Sequence, residues 1–113
     1  MTGVFSAERL RELDTVLGPE QRNQLLSALA AQATEARAAL REHRAGAVDD
    51  RLLRRDVHRL RGAAEIVGAD ALIAALRAIE ARQPGDVGND LFDTADVQIA
   101  ALIDATAQLQ QPR

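Results

Sequence analysis

His58 and its close neighbours are the residues of this sequence best suited to chemistry. Apolar residues before and after it recur at intervals of three and four, which predicts the buried face of a helix. These residues are Leu53, Val57, Leu60, Ala64 and Val67. At about 100° per residue, His58 projects from the opposite side of that helix. Packing therefore does not explain a histidine there, and its presence calls for a chemical reason.

Two neighbours on the same face indicate what that chemistry is. Gly62 lies inside the predicted helix, where glycine costs about 1 kcal/mol relative to alanine. Its benefit must be the missing side chain, which clears space over the imidazole of His58 for a bulky partner surface. Arg61 adds a permanent cation with several donors, suited to phosphate oxygens.

Three further residues are candidates for binding on this face, each with a plainer interpretation. Arg54 has the right face and spacing, but it is a weaker candidate phosphate contact than Arg61. Glu65 accepts a hydrogen bond from the imidazole through water, pairs with Arg61, or is an ordinary exposed helix charge. Ile66 points partly outward, so it is either a docking contact or packs under a neighbouring helix. For His58 itself, the plain alternative is a solvated histidine without a role.

The spacing of five residues resembles that of the histidine-containing phosphotransfer (HPt) domains of bacterial phosphorelays. The residues are His58, Arg61, Gly62, Gly68 and Leu72. Family members more often carry lysine where this chain has Arg61, but the positive charge is kept. The resemblance implies that the outer ring nitrogen of His58 takes a phosphoryl group from the aspartyl phosphate of a receiver domain and passes it to the aspartate of a second receiver. It also implies that Arg61 helps to neutralise the phosphoryl oxygens and that Gly62 lets the receiver surface settle over the ring.

The resemblance further implies the partners and cofactors. The receiver supplies the acidic pocket and Mg²⁺, so this chain needs no metal or other cofactor of its own. The expected partners are response-regulator receiver domains and a hybrid histidine kinase, and the protein is expected to be a phosphocarrier without autonomous kinase activity. Two alternatives stay open: a non-catalytic helical interaction module that binds a receiver or kinase, and the phosphorylatable HPt domain of a larger histidine kinase. The second is disfavoured because the sequence shows no ATP-binding or dimerisation region.

Composition excludes several other classes of function. The net charge of -3 and a near absence of aromatic residues give no support for nucleic-acid binding. Cysteine is absent, which excludes disulfides and thiolate chemistry, and all basic residues are arginine, which excludes the lysine of nucleotide-binding loops. His43 and His58 do not have metal-binding spacing, so no metal site is expected. No stretch resembles a membrane span or a signal peptide, so a cytoplasmic location is expected.

The elements that carry these residues are predicted to be helical throughout. A chain of 113 residues is one domain, 1–113, and it is rich in alanine, leucine, glutamate and arginine. The pattern predicts an antiparallel up-down-up-down four-helix bundle with a short additional N-terminal helix that closes at Gly18-Pro19. Ser6, Asp49 or Asp50, and Asp70 are predicted helix caps, and Gly68 ends the His58 helix. Residues 83–88 are predicted to form a loop, and the chain is expected to be monomeric.

Overall fold

The computed structural model describes residues 4–47, 49–83 and 89–110. Within these ranges the chain forms four helices and no strand, which confirms the predicted all-helical class. The helices are α1 (Ala7–Arg44), α2 (Asp50–Val67), α3 (Asp70–Ala81) and α4 (Asn89–Gln110). Most of the predicted loop at 83–88 lies outside the described residues.

α1 consists of two helical segments that meet at a kink near its beginning. Gly18 has φ 80° and ψ 166°, which is not helical, and Pro19 follows it. Proline lacks an N–H donor and fixes its own φ, so it suits the first turn of the segment after the interruption. Arg22 pairs with Asp14 across the break at 3.1 Å. The stretch before Gly18, which the sequence predicts to be a separate short helix, is part of α1 here, so an additional N-terminal helix is not confirmed.

α2 has defined signals at both ends. The Asp49 side chain accepts a hydrogen bond of 2.9 Å from the backbone N–H of Leu52, the usual arrangement of an N-cap. At the other end Gly68 adopts the left-handed conformation with φ 66°. Only Gly68 and Ala69 separate α2 from α3. Ala69 is the N-cap of α3, without a side-chain hydrogen bond, and Asp70 is instead the first helical residue, where its charge suits the helix dipole.

The N-terminus of the chain packs on this tight turn. The N–H of Ser6 donates to the carbonyl of Val67 at 3.2 Å. A Cβ atom built on Gly68 would lie 2.6 Å from the Cβ of Ser6. Glycine is therefore needed here both for its backbone conformation and for the close approach of the N-terminal segment.

The core lies between helices that contact one another in a ring. α1 packs against α2 and α4, and α3 packs against the same two helices. The predicted apolar stripe of α2 is confirmed, because all five of its side chains are fully buried. Phe92 of α4 is the largest fully buried side chain. Since the stripe faces inward, the opposite face of α2 lies at the protein surface.

Polar contacts also link α1 to its two neighbours. Arg37 donates to Asp96 of α4 at 2.8 Å, and the Gln110 amide donates to the hydroxyl of Ser27 at 2.6 Å. Arg59 of α2 lies 3.8 Å from Glu35 of α1.

None of the helices in the described part of the chain is long and apolar enough to cross a membrane.

Candidate functional site

His58 projects from the solvent-facing side of α2, and its side chain is 69% exposed. Its Nδ1 atom lies 3.2 Å from Oε2 of Glu80 on α3. The same atom lies 3.0 Å from Nη2 of Arg61, one turn further along α2. The imidazole is therefore held on its Nδ1 side, and Nε2 is the ring nitrogen left for chemistry with a partner.

Glu80 and Arg77 reach this site because α2 and α3 form a tight helical hairpin. His58 and Glu80 are equally far along the chain from Ala69, on opposite sides of the turn, and so are Arg61 and Arg77. Residues placed in this way face each other across an antiparallel helix pair. Sequence reasoning missed Glu80 and Arg77, although the two-residue link after the Gly68 stop was the signal that could have found them.

Arg61 is fixed between two carboxylates from different helices. Its Nε donates to Oε1 of Glu80 at 2.5 Å, and its Nη1 donates to Oε1 of Glu65 at 3.0 Å. The hydrogen bond to Glu80 raises the pKa of Arg61, so the guanidinium remains charged. Glu65 also accepts from Arg77 at 3.3 Å. Of the interpretations open for Glu65, the structure shows the pairing with Arg61.

Glu80 is ionised in this setting. Burial alone would raise the pKa of Glu80, whose side chain is 24% exposed. The hydrogen bonds with Arg61 and His58 outweigh that effect and lower the pKa of Glu80 below its ordinary value. An ionised carboxylate only accepts hydrogen bonds, so its contact with His58 requires a proton on Nδ1.

The two contacts of Nδ1 belong to two different protonation states of the ring. When Nδ1 carries a proton it donates to Glu80, and Nε2 then has a free lone pair in the neutral ring. When Nδ1 is unprotonated it accepts from Arg61, and Nε2 carries the proton instead. Glu80 thus favours the nucleophilic form of Nε2, whereas Arg61 favours the other form.

The surface beside His58 has open space at Gly62. Gly62 is exposed, and a Cβ atom built on it would meet no other heavy atom within 4 Å. The fold itself therefore does not require glycine at this position, although glycine weakens a helix. Ile66, one turn further along, is an exposed large apolar side chain. The structure leaves room for another molecule on this side of the imidazole.

Arg54 has a different set of contacts from the one its position on the helix suggests. Its Nε donates to Asp50 at 2.6 Å. Its two terminal nitrogens donate to the backbone carbonyls of Glu80 at 2.7 Å and Arg82 at 2.5 Å. The guanidinium that was predicted as a weaker phosphate contact thus binds the C-terminal end of α3.

His43, the second histidine, lies in the last turn of α1, beside the first residue of α2. Its Nε2 is 3.3 Å from Asp50, and its ring packs edge-on against Phe92 with centroids 5.5 Å apart. The described residues contain no group of three or more His, Cys, Asp or Glu side chains placed to hold a metal ion.

The described part of the chain is an all-helical domain with an exposed histidine on the outer face of α2. The sequence profile of the Hpt domain family matches residues 5–111, essentially the whole chain. The chain therefore belongs to the Hpt domain family, whose members are phosphotransfer modules of two-component systems, and the resemblance seen in the sequence is confirmed. No curated protein and no solved structure matches the chain at a significant level.

Proposed function

We propose that this protein relays a phosphoryl group between receiver-domain aspartates through a phosphohistidine at His58. The observation that carries the proposal is the setting of one exposed imidazole. Nδ1 faces the ionised carboxylate of Glu80, Arg61 lies against the ring, and the surface at Gly62 is open. Membership of the Hpt domain family supports the same class of reaction.

The first transfer uses the lone pair of Nε2. This lone pair attacks the phosphorus of an aspartyl phosphate on the donor receiver, so an N–P bond forms while the P–O bond breaks. The electron pair of that bond leaves with the aspartate carboxylate. The ring becomes positively charged and keeps its proton on Nδ1, where the carboxylate of Glu80 offsets the charge. In the second transfer a carboxylate oxygen of the acceptor receiver attacks phosphorus, and the N–P electron pair returns to Nε2.

Arg61 assists by charge and position rather than by a covalent step. Phosphoryl transfer needs mainly alignment of the reacting atoms and stabilisation of charge on the phosphoryl oxygens. Because Glu80 and Glu65 fix the guanidinium, Arg61 is oriented before the partner arrives. In this proposal the receiver brings the acidic pocket and Mg²⁺, and this chain contributes no metal or other cofactor.

Side-chain contacts between neighbouring helices indicate the relative directions of those helices. α1 contacts α4 through Arg37 with Asp96 and through Ser27 with Gln110, so residue numbers rise along one helix as they fall along the other. The His58–Glu80 and Arg77–Glu65 pairs show the same reversed order between α2 and α3, and the His43–Asp50 and Glu35–Arg59 pairs show it between α1 and α2. We infer an antiparallel up-down-up-down bundle, in which the outer face of α2 forms the docking surface. Gly62 and Ile66 are its proposed contacts for the receiver.

The proposed role is that of a phosphocarrier without kinase activity of its own. Its partners would be response-regulator receivers and a hybrid histidine kinase, and the expected setting is the cytoplasm with a monomeric domain. Membership of the Hpt domain family supports these expectations. A non-catalytic binding module would bind its partner equally well with or without His58, because such binding does not need a phosphoryl acceptor.

The test is label transfer from a phosphorylated receiver. Wild-type protein is expected to acquire acid-labile, base-stable label, and His58→Gln is expected to acquire none. His43→Gln is the matched control, since it removes the other histidine and should still be labelled. Unlabelled wild type, or label that persists in His58→Gln, would refute the assignment. Equal receiver binding by wild type and His58→Gln without any labelling would indicate a non-catalytic module.

A further inference from the structure

A cluster of charged side chains around Asp50 connects three helices at the end of α2 that lies opposite the Gly68 turn. Oδ1 of Asp50 accepts from Nη2 of Arg82 at 2.5 Å, and Oδ2 accepts from Nε of Arg54 at 2.6 Å. His43 of α1 lies 3.3 Å from the same carboxylate. The side chain of Arg82 is only 2% exposed. A buried arginine of this kind needs a carboxylate partner, which Asp50 provides.

Arg54 joins this cluster to the phosphotransfer site through the backbone. The last carbonyl groups of a helix have no partner within the helix. Arg54 donates to two such groups at the end of α3, the carbonyls of Glu80 and Arg82. Arg54 thus holds the backbone of Glu80, and the side-chain carboxylate of Glu80 contacts Nδ1 of His58.

We propose that Arg54, held in place by Asp50, is a positioning residue for His58. It fixes the last turn of α3 and thereby keeps the Glu80 carboxylate against Nδ1, although Arg54 takes no part in the transfer itself. The consequence for phosphoryl transfer rests on the proposed function. The consequence for which ring nitrogen of His58 carries the proton does not rest on the proposed function, because it is measured without any phosphoryl donor.

The chemistry of the side chain explains why arginine suits this position. The planar guanidinium binds the Asp50 carboxylate with one nitrogen and two carbonyls with the others. A lysine ammonium is a compact point charge, so it keeps the charge but does not reproduce this fork. Burial would raise the pKa of Asp50, but hydrogen bonds from Arg54 and Arg82 outweigh this and lower that pKa. The cluster is therefore charged, and Asp50 and Arg82 are expected to remain paired when Arg54 is replaced.

Arg37 offers a matched control on another face of the bundle. Its side chain is 31% exposed, the same as that of Arg54, and it also pairs with one aspartate, Asp96. This pair connects α1 to α4. Replacing Arg37 thus removes an ion pair of similar exposure and leaves the hydrogen bonds at the end of α3 in place.

The experiment compares Arg54→Gln, Arg37→Gln and wild type by the imidazole ¹⁵N chemical shifts of His58, with His43→Gln to assign the signals. In wild type, the neutral ring is expected to carry its proton mainly on Nδ1. Arg54→Gln is expected to shift the proton toward Nε2 and to slow phosphoryl transfer about tenfold, within the range that small misplacements cause. Arg37→Gln should leave both unchanged.

Two results would overturn the positioning role: an unchanged proton distribution in Arg54→Gln, or an equal change in Arg37→Gln. If Arg54→Gln does not fold, Arg54→Lys gives the same comparison with the charge retained, and a wild-type proton distribution in that variant would likewise overturn the role. Failure of the proposed function is distinct, because it would show as unlabelled wild-type protein while the shift in proton distribution is still observed.

Discussion

Nδ1 of His58 and Oε2 of Glu80 lie 3.2 Å apart, and they belong to two helices joined by only two residues. Arg61 shares the same carboxylate through Oε1. The α2–α3 hairpin therefore places a carboxylate of α3 beside an imidazole of α2. In the proposed relay, the ionised Glu80 favours the ring form in which the lone pair of Nε2 is free, and it would offset the charge that appears on the ring.

Replacement of Glu80 by glutamine tests this relationship. The neutral amide cannot offset the charge of the ring, so phosphoryl transfer is expected to slow about 10- to 100-fold, the range of one charged hydrogen bond. The measurement is the initial rate of label transfer from a phosphorylated receiver. Glu65→Gln is the control, since that carboxylate contacts Arg61 and Arg77. A larger loss in Glu65→Gln than in Glu80→Gln would contradict the assigned role.

The Arg37–Asp96 pair predicts how stability depends on acid. The hydrogen bond from Arg37 lowers the pKa of Asp96, against a smaller opposing effect of burial. The unfolded chain thus binds a proton at higher pH than the folded one. The stabilisation is complete above the unfolded pKa of about 3.9 and is lost as pH falls through the lower folded value.

Asp96→Asn is therefore expected to make the free energy of unfolding less dependent on pH below about pH 4. Urea denaturation at a series of pH values measures this dependence. At neutral pH the variant should be less stable than wild type, and the difference should shrink as the solution becomes more acidic. A difference that grows on acidification would show that the pair has the opposite linkage.

Gly68 has two separate reasons to be glycine, and a pair of variants separates them. Gly68→Ala places a side chain in a left-handed conformation, which costs about 1–2 kcal/mol, and also against Ser6. Gly46→Ala has only the first effect, because Gly46 has φ 79° and nothing lies within 4 Å of its built Cβ. Thermal unfolding should show the larger loss in Gly68→Ala. Equal losses would mean that the N-terminal segment moves aside without cost.

The sequence was sufficient for the helical class, the buried stripe of α2 and the family, because these depend on local periodicity and spacing. The role of Gly68 as a helix stop was also predictable. Glu80 was missed because its relation to His58 appears only when two helices are paired. A tight turn predicts that pairing, so counting outward from Ala69 would have found it.

Other contacts depend on structure that local patterns do not encode. Arg54 lies on the same face as His58, and from the helix alone it resembles a phosphate contact. Its actual ligands are carbonyls at the end of α3, whose position depends on where that helix stops. The close approach of Ser6 to Gly68 likewise depends on the path of the N-terminal segment across the turn.

Gly62 gives the prediction that best separates folding from function. Gly62→Gln replaces a poor helix former with a good one and meets no atom of the fold at Cβ, so the free energy of unfolding is expected to rise by about 0.5–1 kcal/mol. Transfer from a phosphorylated receiver is expected to slow, because the added side chain occupies the space beside the imidazole. Gly62→Ala is the control, with a similar gain in stability and a smaller loss of rate. Unchanged rates in Gly62→Gln would mean that the receiver does not need this clearance. A defect of folding cannot imitate the expected result, since it would lower stability and rate together.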